Sequence, residues 1–219
     1  MTGRPVVTGD NVELVSPGSV VGYDSPMSSA LKPPAQMTVT EFLAWNAPGE
    51  TCWQLVDGEP VAMAPASRTH GTLQLELGSV IRNHLAEAGN QCTVIAAPGI
   101  VPRVRANENF RIPDLAVTCT RYDTEEYDVS NPVLIVEVLS PSNRADTWRN
   151  VWAFATIPSL REILILSSTA IRAELLRRGS DGAWPEASVV IEDGDLILDS
   201  IGLSVPLLSI YRTTRLAVG

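Results

Sequence analysis

Apolar residues recur with helical spacing in three segments of the chain. The first segment begins at Thr38, a candidate N-cap residue. The third spans residues 142–156 and has a proline close to each end. The second segment stops near Gly89 and contains Leu73, Leu77, Val80, Ile81, His84 and Leu85. These patterns predict three helices.

Short apolar runs in the remaining segments predict strands. Residues 133–139 are nearly all apolar and β-branched, which is typical of a strand covered on both faces. Asp57-Gly58 suits the tight turn of a hairpin. The other predicted strands span residues 53–56, 61–63, 92–95, 100–104, 114–119, 161–167, 170–178 and 187–191. Together the elements predict an α/β (α+β) fold with a central mixed β-sheet flanked by helices.

Residues 1–36 differ from the rest of the chain, because they contain five Pro, five Ser and four Gly. Such a composition cannot bury enough apolar surface to offset the entropy lost on ordering. We therefore expect a flexible N-terminal extension over residues 1–36 and a single domain over residues 37–219.

Charge and composition narrow the class of protein. The 219-residue chain has a net charge of −9, which argues against a protein whose affinity rests on coating phosphates with cations. No apolar run approaches the roughly 20 residues of a membrane helix, and no signal-peptide pattern is visible. Three cysteines without C-x-x-C spacing make a disulfide framework unexpected. These features favour a cytoplasmic protein without membrane partners.

Glu137 is the most informative single residue. It lies inside the apolar run of residues 133–139, where an isolated ionised carboxylate would be very costly. Such a carboxylate must be paired, protonated or bound to a metal ion. Two structural alternatives remain open at this point: an edge strand that turns Glu137 to solvent, or a salt bridge to an arginine.

Asp114 is the second candidate carboxylate, since it follows Pro113 and opens a predicted strand. On its own, an aspartate at a strand start is usually a turn or capping residue. Two carboxylates on neighbouring strands suit Mg²⁺, which prefers oxygen ligands and is often held by one or two carboxylates with water and phosphate. Such an ion can activate water for attack on a phosphodiester.

Several short motifs resemble the Uma-type restriction endonucleases of the PD-(D/E)XK nuclease superfamily, from about Met37 to Arg212. Each motif is weak alone, but their order and spacing together identify the family. The central ones are Pro113-Asp114 and Glu137-Val138-Leu139-Ser140-Pro141-Ser142. The others are Trp53-Gln54-Leu55-Val56-Asp57-Gly58-Glu59, Ser67-Arg68-Thr69-His70, Pro98-Gly99, Phe110-Arg111-Ile112-Pro113-Asp114, Ile157-Pro158-Ser159-Leu160-Arg161-Glu162 and Ile201-Gly202-Leu203-Ser204-Val205-Pro206-Leu207.

The resemblance implies a restriction-endonuclease-like core with Asp114 and Glu137 as metal-binding carboxylates and the carbonyl of Val138 as a further ligand. Gln54 stands where the family often has a glutamate. Its amide oxygen can bind a metal ion or water but supplies no charge. We therefore count Gln54 among the candidate catalytic residues.

The family's active-site lysine is replaced, because its position falls on Asn150. Lys32 is the only lysine in the chain and lies in the predicted extension. Arg149 is adjacent to the vacant position, and a guanidinium can stabilise transition-state charge. It cannot act as a general base, since it stays protonated.

Two further residues are candidates for binding substrate. His70 matches a family position and is predicted to touch a phosphate or order a water, although a capping or surface role is an alternative. Arg111 is one of several arginines in segments that approach the site, and these are predicted either to form a local cationic rim or to pair with nearby acids: Arg68, Arg103, Arg105, Arg111 and Arg121.

The resemblance thus implies a Mg²⁺- or Mn²⁺-dependent endonuclease that hydrolyses DNA phosphodiester bonds, acts as a homodimer and is weakened by Asn150. The alternative is a catalytically inactive nuclease-fold protein that binds metal, nucleic acid or another protein. A third hypothesis is a purely structural or interaction protein in which Glu137 pairs with an arginine.

Overall fold

The computed structural model describes residues 36–121, 127–141 and 143–217. These ranges contain four α-helices, α1 to α4, and one 3₁₀ turn at Ala106–Glu108. The helices are Val39–Ala44, Arg68–Glu87, Arg144–Phe154 and Leu207–Tyr211. The same ranges contain ten strands, β1 to β10. They are Trp53–Val56, Glu59–Ala62, Thr93–Ala96, Leu115–Thr118, Pro132–Leu139, Glu162–Ser167, Ala173–Arg177, Val189–Ile191, Asp195–Leu198 and Leu203–Pro206.

Six of these strands form one mixed sheet in the order β3-β4-β5-β6-β7-β8. The pairs β3–β4, β4–β5, β6–β7 and β7–β8 are antiparallel. Strands β5 and β6 are parallel, and α3 lies between them in the chain. A parallel pair requires such a crossover, because a tight turn can only reverse the chain. The expected central mixed sheet flanked by helices is confirmed.

The two faces of the sheet bury different helices, because successive side chains of a strand point to opposite faces. The face covered by α2 packs an apolar cluster that includes Leu77, Leu134 and Val136, together with residues of β9, β10 and α4. The face covered by α3 packs Ile135, Phe154 and other apolar residues. We call these the α2 face and the α3 face.

A separate antiparallel hairpin, β1–β2, turns at Asp57 and Gly58. Both residues have positive φ angles, 51° and 87°, as the hairpin turn predicted for Asp57-Gly58 requires. An isolated antiparallel bridge then joins Leu55 to Phe110. The hairpin is therefore attached to the segment that leads into Asp114.

One prediction from the pattern of apolar residues needs correction. Residues 101–104 form no strand; only Ile100 pairs, through an isolated bridge to Arg111. The acidic residues of the stretch 181–199 are exposed, and β9 within the same stretch buries Leu196 and Leu198. Strands β9 and β10 and helix α4 were not predicted, because short alternating segments carry little periodic signal.

The expectation of no disulfide was also wrong. Cys92 and Cys119 form a disulfide bond, with Cα atoms 3.9 Å apart. They extend the antiparallel register of β3 and β4 by one pair beyond Thr93 and Thr118. The 27-residue separation gives no sign of this in the sequence. The cysteine argument for a reducing compartment therefore no longer holds, and the cytoplasmic location stays a prediction.

Two further expectations concern the N-terminal extension and the absence of membrane-spanning helices. The extension predicted over residues 1–36 lies outside the described residues apart from Gln36. Within the described ranges, no helix combines the length and apolar character needed to cross a bilayer.

Candidate active site

The two candidate carboxylates lie opposite each other where β4 begins beside β5. Leu115 of β4 pairs with Val136 of β5 in antiparallel register, which places Asp114 opposite Glu137. Glu137 alternates with Val136, so its side chain points away from the α2 face. Asp114 lies just before β4, and its carboxylate contacts both Val138 of β5 and His70 of α2. The register of two strands thus brings together residues 23 positions apart in the chain.

Asp114 is fixed in place by contacts to its side chain and its backbone. One carboxylate oxygen accepts a hydrogen bond from the backbone N–H of Val138 at 2.6 Å, and the other lies 2.6 Å from His70 Nε2. Gln74 Nε2 donates to the backbone oxygen of Asp114 at 2.8 Å. Each carboxylate oxygen keeps a lone pair for a further donor or cation.

His70 and Gln74 reach Asp114 from the first turns of α2. Ser67 caps this helix, because its hydroxyl accepts the backbone N–H of His70 at 3.2 Å. His70 and Gln74 are four residues apart and therefore lie on one side of the helix. Gln74 was not predicted to belong to the site, although its spacing of four residues from His70 was a usable signal.

Glu137 is buried, with 6% of its surface exposed, in a strand flanked by β4 and β6. Among the described residues no arginine forms an ion pair with it. The edge-strand and salt-bridge alternatives are therefore wrong for the described structure. Burial raises the pKa of Glu137 well above its usual value, and the negative charge of Asp114 raises it further.

Asn150 connects Glu137 to a buried arginine. Its side-chain nitrogen lies 3.5 Å from Glu137 Oε1, and its oxygen accepts a hydrogen bond from Arg111 Nη1 at 2.8 Å. Arg111 is only 2% exposed, and burial lowers its pKa. Within the described ranges Arg111 has no carboxylate at ion-pair distance. The site thus contains a positive charge without a direct counter-ion.

Asn109 holds the other side of the Arg111 guanidinium. Its side-chain oxygen accepts from Arg111 Nε at 2.9 Å and from Nη2 at 2.7 Å. The same asparagine exchanges hydrogen bonds with Asp57, from whose backbone N–H it accepts and to whose carboxylate it donates. Its nitrogen also donates to the carbonyls of Val104 and Arg105. Asn109 is fully buried, and nothing in the local sequence pattern marked it.

Gln54 is buried and its Oε1 atom has no hydrogen-bond partner among the described residues. The bridge between Leu55 and Phe110 places Gln54 beside Arg111. A buried acceptor without a donor is costly, so this oxygen is suited to a cation or a water molecule.

Arg149 lies apart from this buried network. Its side chain is 53% exposed and its Nη2 atom contacts Asp146 Oδ1 at 2.6 Å. Arg149 and Asn150 are adjacent in α3, but only Asn150 is buried against the sheet. The positive group in contact with Asn150 is therefore Arg111, and the role predicted for Arg149 stays a prediction.

The donor set is compatible with a hard divalent cation. The described residues contain no group of three or more His, Cys, Asp and Glu side chains arranged for a metal ion. They do bring two carboxylates together, and the oxygen of Gln54 is without a partner. Mg²⁺ needs only one or two protein carboxylates, because it keeps several waters. A cation would also relieve the repulsion that opposes ionisation of Glu137 beside Asp114.

Comparisons with known proteins bear on the fold and the family of this chain. A solved structure from Anabaena variabilis ATCC 29413, titled "a putative nuclease belonging to DUF820", matches with a TM-score of 0.65 at 16% identity, over 80% of this chain and 98% of that one. This match shows a restriction-endonuclease-like fold.

Two Synechocystis proteins are similar in sequence. The protein slr1290 is 31% identical over 81% of this chain and 92% of its own length, and sll1609 is 25% identical over 73% and 91%. Both carry the description "uncharacterized". The family model described as "Uma2: Putative restriction endonuclease" matches residues 39–208. The chain therefore belongs to the Uma2 family of restriction-endonuclease-like proteins.

Proposed function

We propose that this protein is a metal-dependent endonuclease that hydrolyses phosphodiester bonds of DNA. Asp114 and Glu137 would hold Mg²⁺ or Mn²⁺, together with the carbonyl of Val138 and the oxygen of Gln54. The observation that carries the proposal is Glu137 itself, a buried carboxylate opposite Asp114 that accepts a hydrogen bond from Asn150. A family and fold of nuclease type support the assignment.

The bound ion would supply positive charge to the scissile phosphate and lower the pKa of the attacking water. The chain's own residues orient the ligands. His70 and the Val138 N–H hold the carboxylate of Asp114, and Gln74 holds its backbone. His70 was expected to bind substrate. Because its Nε2 atom is engaged with Asp114, we propose that it mainly positions this carboxylate.

Arg111 would replace the charge of the missing lysine. Its guanidinium donates to Asn150, which occupies the lysine position and approaches Glu137. An uncompensated cation close to the reacting phosphate stabilises charge that develops in the transition state. Arg111 is nearly inaccessible to solvent, so we propose that it acts through Asn150 rather than by direct contact with DNA. It stays protonated and therefore cannot take a proton from the attacking water, which would lose that proton to solvent once a metal ion lowers its pKa.

The test is cleavage of supercoiled plasmid by the full chain in Mg²⁺ or Mn²⁺, with a chelator control. Glu137→Gln keeps the shape of the side chain and removes its charge, and we expect it to reduce the rate by about 100-fold or more. Glu59→Gln makes the same change at an exposed position in β2 and should leave the rate unaltered. Cleavage that survives chelation or Glu137→Gln would overturn the proposal.

The same cleavage assay distinguishes the roles of Arg111 and Arg149. We expect Arg111→Gln to lower the rate by about 100-fold, the size found when one transition-state donor is removed. Arg149→Gln removes an exposed cation that already pairs with Asp146 and should have a much smaller effect. The opposite ranking would return the electrostatic role to Arg149.

The second candidate function is a catalytically inactive nuclease fold that binds metal or nucleic acid. Asn150 favours it, because both ends of its side-chain amide are engaged and neither can remove a proton from water. Absence of cleavage by the wild-type chain in both metals, with binding of Mn²⁺ that Glu137→Gln weakens, would support this candidate. The homodimer implied by the family resemblance is tested separately by the mass of the protein in solution.

A further inference from the structure

A cavity of about 360 Å³ lies at the carboxyl ends of the parallel strands β5 and β6. We call it the β5–β6 cavity. Its lining includes Leu139 from the end of β5, Ile165 and Ser167 from β6, and Arg144 from the start of α3. In α/β sheets, ligands bind outside the carboxyl ends of parallel strands, where the crossover helix leaves a crevice. The volume is within the range of small-molecule sites.

The β5–β6 cavity adjoins the candidate active site on the α3 face. Leu139 follows Glu137 by two residues in β5, so both side chains point to the same face about 7 Å apart. Across the parallel register, Glu137 lies opposite Ile165 and Leu139 lies opposite Ser167. The cavity is therefore next to Glu137 along β5 and β6, although Glu137 itself is not part of its lining.

The lining combines an apolar floor with polar groups at the rim. Leu139 and Ile165 supply the apolar part. The hydroxyls of Ser167 and Thr169, 3.2 Å apart, can donate or accept hydrogen bonds. Glu174 also lines the cavity, and its carboxylate is paired with Arg172. Apolar side chains with a few polar groups suit a nucleotide base, which has exocyclic donors and acceptors.

The two arginines of the lining differ in charge balance. Arg172 forms ion pairs with Glu192 at 2.6 Å and with Glu174 at 3.4 Å, so its charge is already neutralised. Arg144 is exposed, and in the described part of the chain it forms neither a hydrogen bond nor an ion pair. Arg144 is therefore the cation of this cavity that remains available to an anion.

From this arrangement we propose that the β5–β6 cavity binds the nucleotide next to the scissile phosphodiester, with its phosphate at Arg144 and its base against Leu139 and Ile165. The proposal rests on the nuclease function proposed above. It adds a substrate contact that neither metal ligands nor the Arg111 network provide. Arg144 is thus a binding residue, and its loss should weaken substrate affinity more than it slows the chemical step.

Binding is measured by fluorescence anisotropy of a labelled single-stranded oligonucleotide with the full chain, in Ca²⁺ in place of Mg²⁺. We expect Arg144→Ala to weaken binding by about tenfold, as loss of one charge-assisted hydrogen bond predicts. The slope of log affinity against log salt should fall by about 0.7, the value for one phosphate contact to a single strand. Arg82→Ala is the matched control, because Arg82 is an exposed arginine of α2 outside the cavity.

A second variant tests the cavity by filling it. Thr169 is exposed at the rim, so Thr169→Trp narrows the cavity without entering the core. We expect weaker binding of the same oligonucleotide, with circular dichroism and melting temperature like those of the wild type. Wild-type affinity in both Arg144→Ala and Thr169→Trp would overturn the proposal, as would absence of oligonucleotide binding by the wild-type chain.

Plasmid cleavage by the same variants in Mn²⁺ separates this proposal from the nuclease function. Wild-type cleavage with unchanged KM in Arg144→Ala rejects the cavity and leaves the nuclease function standing. Binding that depends on Arg144, without cleavage by any protein, keeps the nucleotide site and rejects the endonuclease. Cleavage with a raised KM and nearly unchanged kcat in Arg144→Ala supports both.

Discussion

The two faces of the central sheet are built from the same strands but are buried in different ways. On the α2 face, side chains such as Leu77, Leu134 and Val136 form an apolar cluster that extends from α2 to α4. On the α3 face, the apolar cluster gives way to Glu137, Asn150 and Arg111. Strand β5 contributes to both faces, because its residues alternate between them.

The α2 face mainly stabilises the fold, whereas the α3 face contains the groups suited to chemistry. The α2 face buries apolar groups and satisfies the requirements of folding. The α3 face buries a carboxylate and a guanidinium that do not contact each other directly, with Asn150 between them. Replacing buried charged groups by apolar side chains of similar volume often leaves the stability of a protein unchanged or raises it. The presence of these groups therefore points to function. The following predictions test this contrast by substitution on each face.

The largest loss of stability is expected on the α2 face. Leu134 is fully buried in β5, and Leu134→Ala should lower the free energy of unfolding by about 2–5 kcal/mol because it leaves a cavity. Urea denaturation measures the change. Activity per folded molecule should stay close to that of the wild type, and a selective loss of activity without a loss of stability would contradict the contrast.

A smaller loss is expected where the α3 face is held by polar contacts. Asn109→Ala leaves Arg111 without two of its acceptor contacts and should lower the free energy of unfolding by about 3 kcal/mol. Unlike Leu134→Ala, it should also lower cleavage by the folded protein, because Arg111 is no longer positioned. The KM should change less than kcat.

The control for this prediction is Asn90→Ala, at an exposed asparagine whose side chain accepts one backbone N–H, that of Cys92. Asn90→Ala should lower the free energy of unfolding by well under half as much as Asn109→Ala does, and it should leave the cleavage rate unaltered. Equal effects of the two substitutions would remove the special role assigned to Asn109.

The smallest effect has the opposite sign. With a chelator present, Glu137→Gln should raise the free energy of unfolding at neutral pH above that of the wild type. The reason is that burial and the charge of Asp114 oppose ionisation of Glu137 in the folded chain. A raised pKa means that the wild type loses stability as pH rises through the folded-state value, so the gain should vanish near pH 4. Urea denaturation at both pH values is the measurement.

Added Mg²⁺ should make the wild type the more stable of the two proteins, since a bound ion stabilises the wild type more than it stabilises Glu137→Gln. Destabilisation by Glu137→Gln in chelator at neutral pH would show that the carboxylate stabilises the fold.

Much of the fold could be predicted because its strongest signals are local. The spacing of Leu73, Leu77 and Leu85 predicted α2, and Asp57-Gly58 predicted the first hairpin. The apolar run around Glu137 predicted a strand covered on both faces. By contrast, Ile100 and Cys92 were misjudged because their partners, Arg111 and Cys119, are distant in the sequence.

The residues of the candidate site also differ in whether a local sequence signal could reveal them. Asp114 and Glu137 could be named from a carboxylate in an apolar run and from the motifs of a family. Asn109 could not, because its role depends on the burial of Arg111 and on Asp57 of the first hairpin. Gln74 could be noted only from its spacing of four residues from His70, since its partner Asp114 is distant in the chain. Single-residue patterns carry no information on such partners.

The amino-acid sequence by itself determined the periodicities of the elements, the hairpin turn, the acidic net charge and the absence of a lysine at position 150. Only the tertiary structure decided that Asp114 lies opposite Glu137 and that the cation next to Asn150 is Arg111 rather than Arg149. Local patterns reflect the interactions of neighbouring residues with their own backbone and with solvent. Strand register and side-chain networks depend on how distant segments pack, which local patterns do not encode.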